Sequence, residues 1–232
     1  MSGVFRSVVP RRGFLARLVA GAAALTAGRS VAVASEVPPP TGLPPARGAW
    51  DDSWATRLTA KHKQVFDSPE IAEATALHQA RTYLKDYAEM YGITDADMNA
   101  VIVFRHRGIV MVLDDAMWDR LEIGKKEKLD DPTTGKTTRR NPFINAKPDD
   151  KHALIWPDGG LDTLIARGAT VLACNLALMQ MTERVAKLEH ISDEEAKALL
   201  RRSLVPGVTL MPSGIFAVTR AEEAGCNYMR AT

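Results

Sequence analysis

The chain has 232 residues, 46% hydrophobic and 25% charged, with 30 basic against 28 acidic side chains and two cysteines. Five of the basic residues (Arg6, Arg11, Arg12, Arg17 and Arg29) and none of the acidic ones precede Ser35, so the remainder carries about −3. That balance excludes the electrostatic footprint of a nucleic-acid binder, and about 180 residues suffice for one well-buried domain.

Residues 1–34 have the layout of an export signal. Pro10-Arg11-Arg12-Gly13-Phe14-Leu15 carries a twin-arginine pattern, a mildly apolar stretch covers 18–25, and Ala32-Val33-Ala34 offers a small-x-small cleavage site before Ser35. The apolar run is far shorter than the roughly 20 residues that span a bilayer, so no stable membrane insertion is expected. No cysteine sits near the cleavage site, so lipid anchoring is not indicated. The expected location is the periplasm, with the signal removed near Ala34. Residues 35–52, with Pro38-Pro39-Pro40 and Pro44-Pro45, read as an extended linker, and the domain occupies 53–232.

Gln64-Val65-Phe66 is a short strand candidate. Ser68-Pro69-Glu70 has the chemistry of a helix start, with a capping hydroxyl, Pro at the first position and an acid. The helix it predicts carries Ile71, Ala74, Leu77, Leu84, Ala88 and Tyr91 on one stripe and stops at Gly92. Ala100-Val101-Ile102-Val103-Phe104 is a continuous apolar run, as in a strand buried on both faces of a parallel sheet. Ile109, Val112, Leu113, Ala116, Met117 and Leu121 recur at helical spacing. Residues 122–160 are polar, hold Pro and Gly and show no sustained period, and read as a long surface excursion that binds, covers or assembles something.

The alternation resumes with a helix over 161–167, a strand over 169–174, a helix over 176–188 and a further helix opened by the Ser192/Glu195 capping box. Val208-Thr209-Leu210-Met211 is a strand, Pro212-Ser213 turns into a helix ended by Gly225, and Asn227 opens a last strand. Strands separated by helices imply an α/β single domain, a parallel β-sheet sandwiched by helices.

In such a sheet the carboxyl ends of the strands form the usual site. Asp67, His106, Cys174 and Ser213 all fall there. Cys174 ends an apolar strand just before a helix, with Asn175 as the expected cap, and a helix N-terminus stabilises a thiolate, the nucleophilic and sulfur-accepting form. The competing reading is a buried, inert thiol. His106 either orients a ligand or is a solvated loop residue between Arg105 and Arg107, which themselves either hold an anion or are loop charge. Ser213 also suits a plain helix cap, and Asp67 a turn. Cys174 ends one strand and Cys226 precedes another. Parallel strands therefore put the thiols on opposite edges of the sheet, roughly 15 Å apart, too far for a disulfide.

Two lookalikes fail on spacing. Thr133-Thr134-Gly135-Lys136-Thr137 resembles the end of a phosphate-binding loop, but Asp130 stands where its first Gly belongs and no strand precedes it. Met179 and Met181, two apart on a helix, do not face one copper ion. No metal and no organic cofactor is expected.

The stretch Leu164-Ile165-Ala166-Arg167-Gly168-Ala169-Thr170-Val171-Leu172-Ala173-Cys174-Asn175 resembles the DsrE/DsrF-like family. So do Leu204-Val205-Pro206-Gly207-Val208-Thr209-Leu210-Met211-Pro212-Ser213-Gly214 and the ending Glu223-Ala224-Gly225-Cys226-Asn227-Tyr228. The strand and His-x-Gly at 101–108 fit as well, and 122–160 has no match. The resemblance implies a parallel-sheet sandwich with flavodoxin-like layering that forms homo-oligomers, trimers or hexamers. In several members a cysteine after the same strand passes sulfur as a persulfide, a role that would carry over to Cys174. Here Asn175 replaces a common Gly, a helical insertion separates Cys174 from Pro206, and the chain carries an export signal. The expectation is a periplasmic sulfane-sulfur carrier with Cys174 as the persulfide residue and His106 assisting. Asn175, Ser213, Asp67 and Arg105 would bind, and a sulfur donor or acceptor protein would be its partner. The alternative is a non-catalytic oligomeric assembly module in which Cys174 is structural.

Overall fold

The computed structural model describes residues 50–232, so the twin-arginine segment, the cleavage site and most of the Pro-rich linker lie outside the described residues. The domain is built on five parallel strands, β1 His62–Ser68, β2 Met98–Phe104, β3 Thr170–Cys174, β4 Val208–Met211 and β5 Asn227–Arg230, in the order β4-β3-β2-β1-β5. Side chains alternate across a strand, and the core divides accordingly. Phe66, Ile102, Phe104 and Ala173 face the larger cluster, whereas Val65, Val101, Val103 and Leu172 face a smaller one with Trp54, Ala217 and Ala221. Helices flank the sheet on both faces, as the apolar runs imply. Among the described residues no helix is long and apolar enough to cross a membrane.

The first helix, α1 Thr75–Tyr91, buries Ala76, Leu77, Ala80 and Leu84 and ends at Gly92, whose φ of 66° suits a residue without Cβ. It starts later than the Ser-Pro-Glu signal predicts. Ser68 is the last residue of β1. Its carbonyl and that of Pro69 accept the Arg105 and Gly108 amides at 3.1 Å each, which ties the segment to the loop after β2. Ala72, Glu73 and Ala74 then take positive φ values of 42, 53 and 65° before the helix begins. Tertiary pairing overrides the capping chemistry.

The helical spacing over 109–121 is also divided. Tight 3₁₀ turns occupy His106–Val112, Leu113 bridges to Leu204, and α2 Asp115–Arg120 starts afresh where the Asp114 carboxylate accepts the Met117 amide at 2.8 Å. The fully buried Asn141 amide donates to the Met111 and Leu113 carbonyls at 2.8 and 2.7 Å. A continuous helix would have used those acceptors internally.

Asn141 belongs to the segment 122–160, which the sequence places on the surface and the structure packs into the domain. It contains α3 Ile123–Glu127 and a turn closed by an Asp130–Thr137 bridge. Phe143, fully buried, meets Trp118 edge-on at 5.9 Å, and Ile123, Ile144 and Ile155 are buried with it. A few apolar residues without a period anchor a polar loop.

The chain continues through α4 Leu161–Ala166 and β3 into α5 Asn175–Met179 and α6 Thr182–Glu189, which break the predicted 176–188 helix at Gln180 and Met181. The capping box then starts α7 Asp193–Arg202, with Ser192 Oγ accepting the Glu195 amide at 3.3 Å and Glu195 accepting the Ser192 amide at 2.9 Å. After β4, Ser213 caps α8 Gly214–Glu223 by accepting the Phe216 amide at 3.1 Å.

Candidate functional site

The carboxyl ends of β2, β3 and β4 meet around a cleft of about 140 Å³ lined by Arg105, His106, Cys174 and Ser213, together with Gln180 and Gly214 and an apolar rim of Leu176 and Ile215. Four sequence candidates are thus brought together. The other two are not in the wall. Asp67 lies behind Arg105, 2% exposed, accepting a bidentate pair from Arg105 Nε and Nη2 at 2.6 and 2.8 Å and a third bond from the Tyr228 hydroxyl at 2.9 Å. The hydrogen bonds to Asp67 raise the Arg105 pKa above its ordinary value against the opposing effect of desolvation, and the Cys174 sulfur contributes in the same direction. Asp67 therefore orients a guanidinium. Burial, then the bond to Asp67, also raises the pKa of Tyr228.

Asn175 is not the cap expected of it. Cys174 itself occupies the N-cap of α5, with extended backbone (φ −77°, ψ 110°), and its Sγ accepts the Ala177 amide at 3.4 Å. Asn175 is the first helical residue, and its Oδ1 is buried without a hydrogen-bond partner among the described residues. Cys174 is 6% exposed and lines the cleft. His106 is exposed in the same lining with φ of 46°, and Ser213 is foremost a cap.

Gly214 is where the fold permits the close approach of α8 to this site. A Cβ there would lie 2.7 Å from Arg105 Cβ and Cδ, so only glycine lets the helix start this near the guanidinium. Sequence reading missed Gly214, Gln180 and the rim. The available signal was the Pro212-Ser213-Gly214 turn after β4, followed by an exposed Ile215 (75%) matched by Leu176 (61%) at the start of α5.

The second thiol is separate. Cys174 packs in the larger cluster and Cys226 in the smaller, on the opposite face of the sheet, and both are free. Burial pushes the Cys226 thiol from its ordinary value near 9 up to about 11. At 131–135 the Thr133 and Thr134 amides are turned onto Asp131 Oδ1 at 3.0 and 2.9 Å, so they are not free to cradle a phosphate. Among the described residues no group of three His, Cys, Asp or Glu is placed to hold a metal.

No protein-family model and no curated protein matches the chain. Among solved structures it is similar to MTH1491, a protein of unknown function from Methanobacterium thermoautotrophicum, with 14% identity and a TM-score of 0.39 over 73% of this chain and 99% of that one. So distant a likeness speaks to no activity.

Proposed function

We propose that this protein carries sulfane sulfur as a persulfide on Cys174, as a periplasmic, homo-oligomeric, DsrE-like protein. The observation that supports this reading is the seat of one sulfur atom. Cys174 Sγ accepts a helix N-terminal amide at 3.4 Å, and Cys174 lines a cleft it shares with Arg105 and His106. The amide and the guanidinium are the donors that would face a negatively charged sulfur during transfer. In the transfer, the Cys174 thiolate attacks the outer sulfur of a donor persulfide R–S–SH. The donor S–S bond breaks, R–S⁻ leaves, and Cys174–S–SH remains, with no net oxidation. The cleft, at about 140 Å³, has room for a sulfur and a few attached atoms but not for a bulky organic substrate. That suits delivery from the cysteine of a partner protein. His106, exposed in the same lining, would contact the outer sulfur.

Persulfide tagging of the purified protein after exposure to a persulfide donor tests this. Labelling of wild type and none of Cys174→Ser is expected, and equal labelling of both would end the proposal.

One observation favours the alternative, an assembly module with a structural Cys174. Cys174 is only 6% exposed, while Leu176 and Ile215 stand out beside it. Under that reading Cys174 resists small alkylating agents and takes no persulfide label, and Ile215→Asp dissociates the oligomer.

A further inference from the structure

A second hollow, of about 420 Å³, lies where α1 overhangs the β1–β5 edge of the sheet. An aromatic row of α1 borders it. Tyr83, Tyr87 and Tyr91 recur four apart along α1, with Tyr83 and Tyr87 at 5.0 Å and Tyr87 and Tyr91 at 5.6 Å, and Phe66 of β1 meets Tyr83 edge-on at 5.9 Å. Phe66, Tyr83, Tyr87 and His78 wall the hollow, and Met229 of the exposed strand β5 closes its outer side. Its volume lies in the range of small-molecule sites, about 300 to 1,000 Å³, and its aromatic wall is interleaved with the polar side chains of Gln64, Gln79, Thr82 and Asp86.

Two polar atoms of this wall, Gln79 Oε1 and the Tyr83 hydroxyl, are buried without a hydrogen-bond partner among the described residues. Buried polar groups are nearly always paired, and each exception calls for a reason. A ligand bonding to either would break no existing bond of that atom. Burial raises the Tyr83 pKa, so its phenol stays neutral and able to donate or accept.

Charge narrows the class. The lining includes a carboxylate, Asp86, and neither Lys nor Arg. The nearby cations of α1 are engaged elsewhere, Arg81 with Asp158 and over the Trp156 ring, and Lys85 with Glu89. Aromatic faces and a carboxylate attract cations and repel anions.

We infer that this hollow binds a small organic cation with an aromatic or alicyclic body and at least one N–H, the Tyr83 and Tyr87 rings packing on the body and Gln79 and Asp86 taking the nitrogen. The site is independent of the sulfur chemistry at Cys174.

Calorimetric titration with three molecules of one skeleton tests the inference: tryptamine, neutral tryptophol and anionic indole-3-acetate. The expected order is tryptamine over tryptophol, with no binding of the acid. Asp86→Asn, at an exposed position, should weaken tryptamine about three- to fivefold and leave tryptophol unchanged. Tyr83→Phe should weaken tryptamine while its unfolding midpoint stays equal or rises, since the lost hydroxyl had no partner in the free protein. Cys174→Ser should bind as wild type does. No binding of tryptamine at millimolar concentration, equal affinity for amine and acid, or indifference to both Asp86→Asn and Tyr83→Phe would overturn the inference.

Discussion

Cys174 has two duties that substitution can separate. As N-cap of α5 its sulfur accepts the Ala177 amide, and in the lining of the cleft it is the candidate sulfur carrier. Serine keeps an acceptor at the cap and alanine does not. Cys174→Ala is therefore expected to lose about 1 kcal/mol and Cys174→Ser a few tenths, by urea unfolding, while both lose persulfide labelling. Arg105→Ala exposes a different dependence. It leaves the buried Asp67 carboxylate with the Tyr228 hydroxyl alone, and about 3 kcal/mol of stability should go with it. Cys226 gives the pH dependence. The fold buries its neutral thiol and raises its pKa from near 9 to about 11. Its contribution is thus complete below pH 9 and is lost as pH rises through 11. Urea midpoints should fall over that window in wild type and fall less in Cys226→Ala. The site's polar residues were legible in the sequence, because strand ends can be counted from apolar runs. Which of them face the cleft was not. Asp67 and Arg105 are 38 positions apart, and only the β1–β2 register makes one the support of the other.

At the level of elements, periodicity and caps were good guides where local chemistry acted alone. The Ser192/Glu195 box and the Ser213 cap form as written, and Ser192→Ala should cost about 1 kcal/mol in thermal or urea unfolding. The guides failed where a distant group took the hydrogen bonds. Ser68 and Pro69 serve the loop after β2, so α1 begins at Thr75. Asn141, some thirty positions downstream, takes carbonyls from the segment predicted as one helix over 109–121. The same long-range pairing explains why the polar segment 122–160 is part of the domain. Its hydrophobic anchors are few and aperiodic, and no window of sequence reveals that Phe143 meets Trp118. Phe143→Ala should therefore cost about 3–5 kcal/mol and broaden the unfolding transition, a result that a free surface loop would not give.

For the whole molecule, the alternation of strands and helices was enough to predict a parallel sheet, but not the order of its strands. The placement of β5 beside β1 follows from no local signal. The separation of the two thiols did follow, since a strand end and a strand start cannot meet in a parallel sheet. Intact mass under non-reducing conditions should correspond to two free thiols, with Cys226 modified by an alkylating agent only after denaturation. Export is tested by changing Arg11 and Arg12 together to Lys, with accumulation of uncleaved precursor in the cytoplasm as the expected outcome of cell fractionation. The sheet order also sets a clock. Gln64 of β1 donates to the Asn227 carbonyl, 163 positions away. A ribosome adding about 5–20 residues per second makes β1 wait roughly ten to thirty seconds for its outer neighbour. Throughout that interval β1 presents an open ribbon of backbone donors and acceptors, so the arrival of β5 decides whether that side of the sheet is sealed or adhesive.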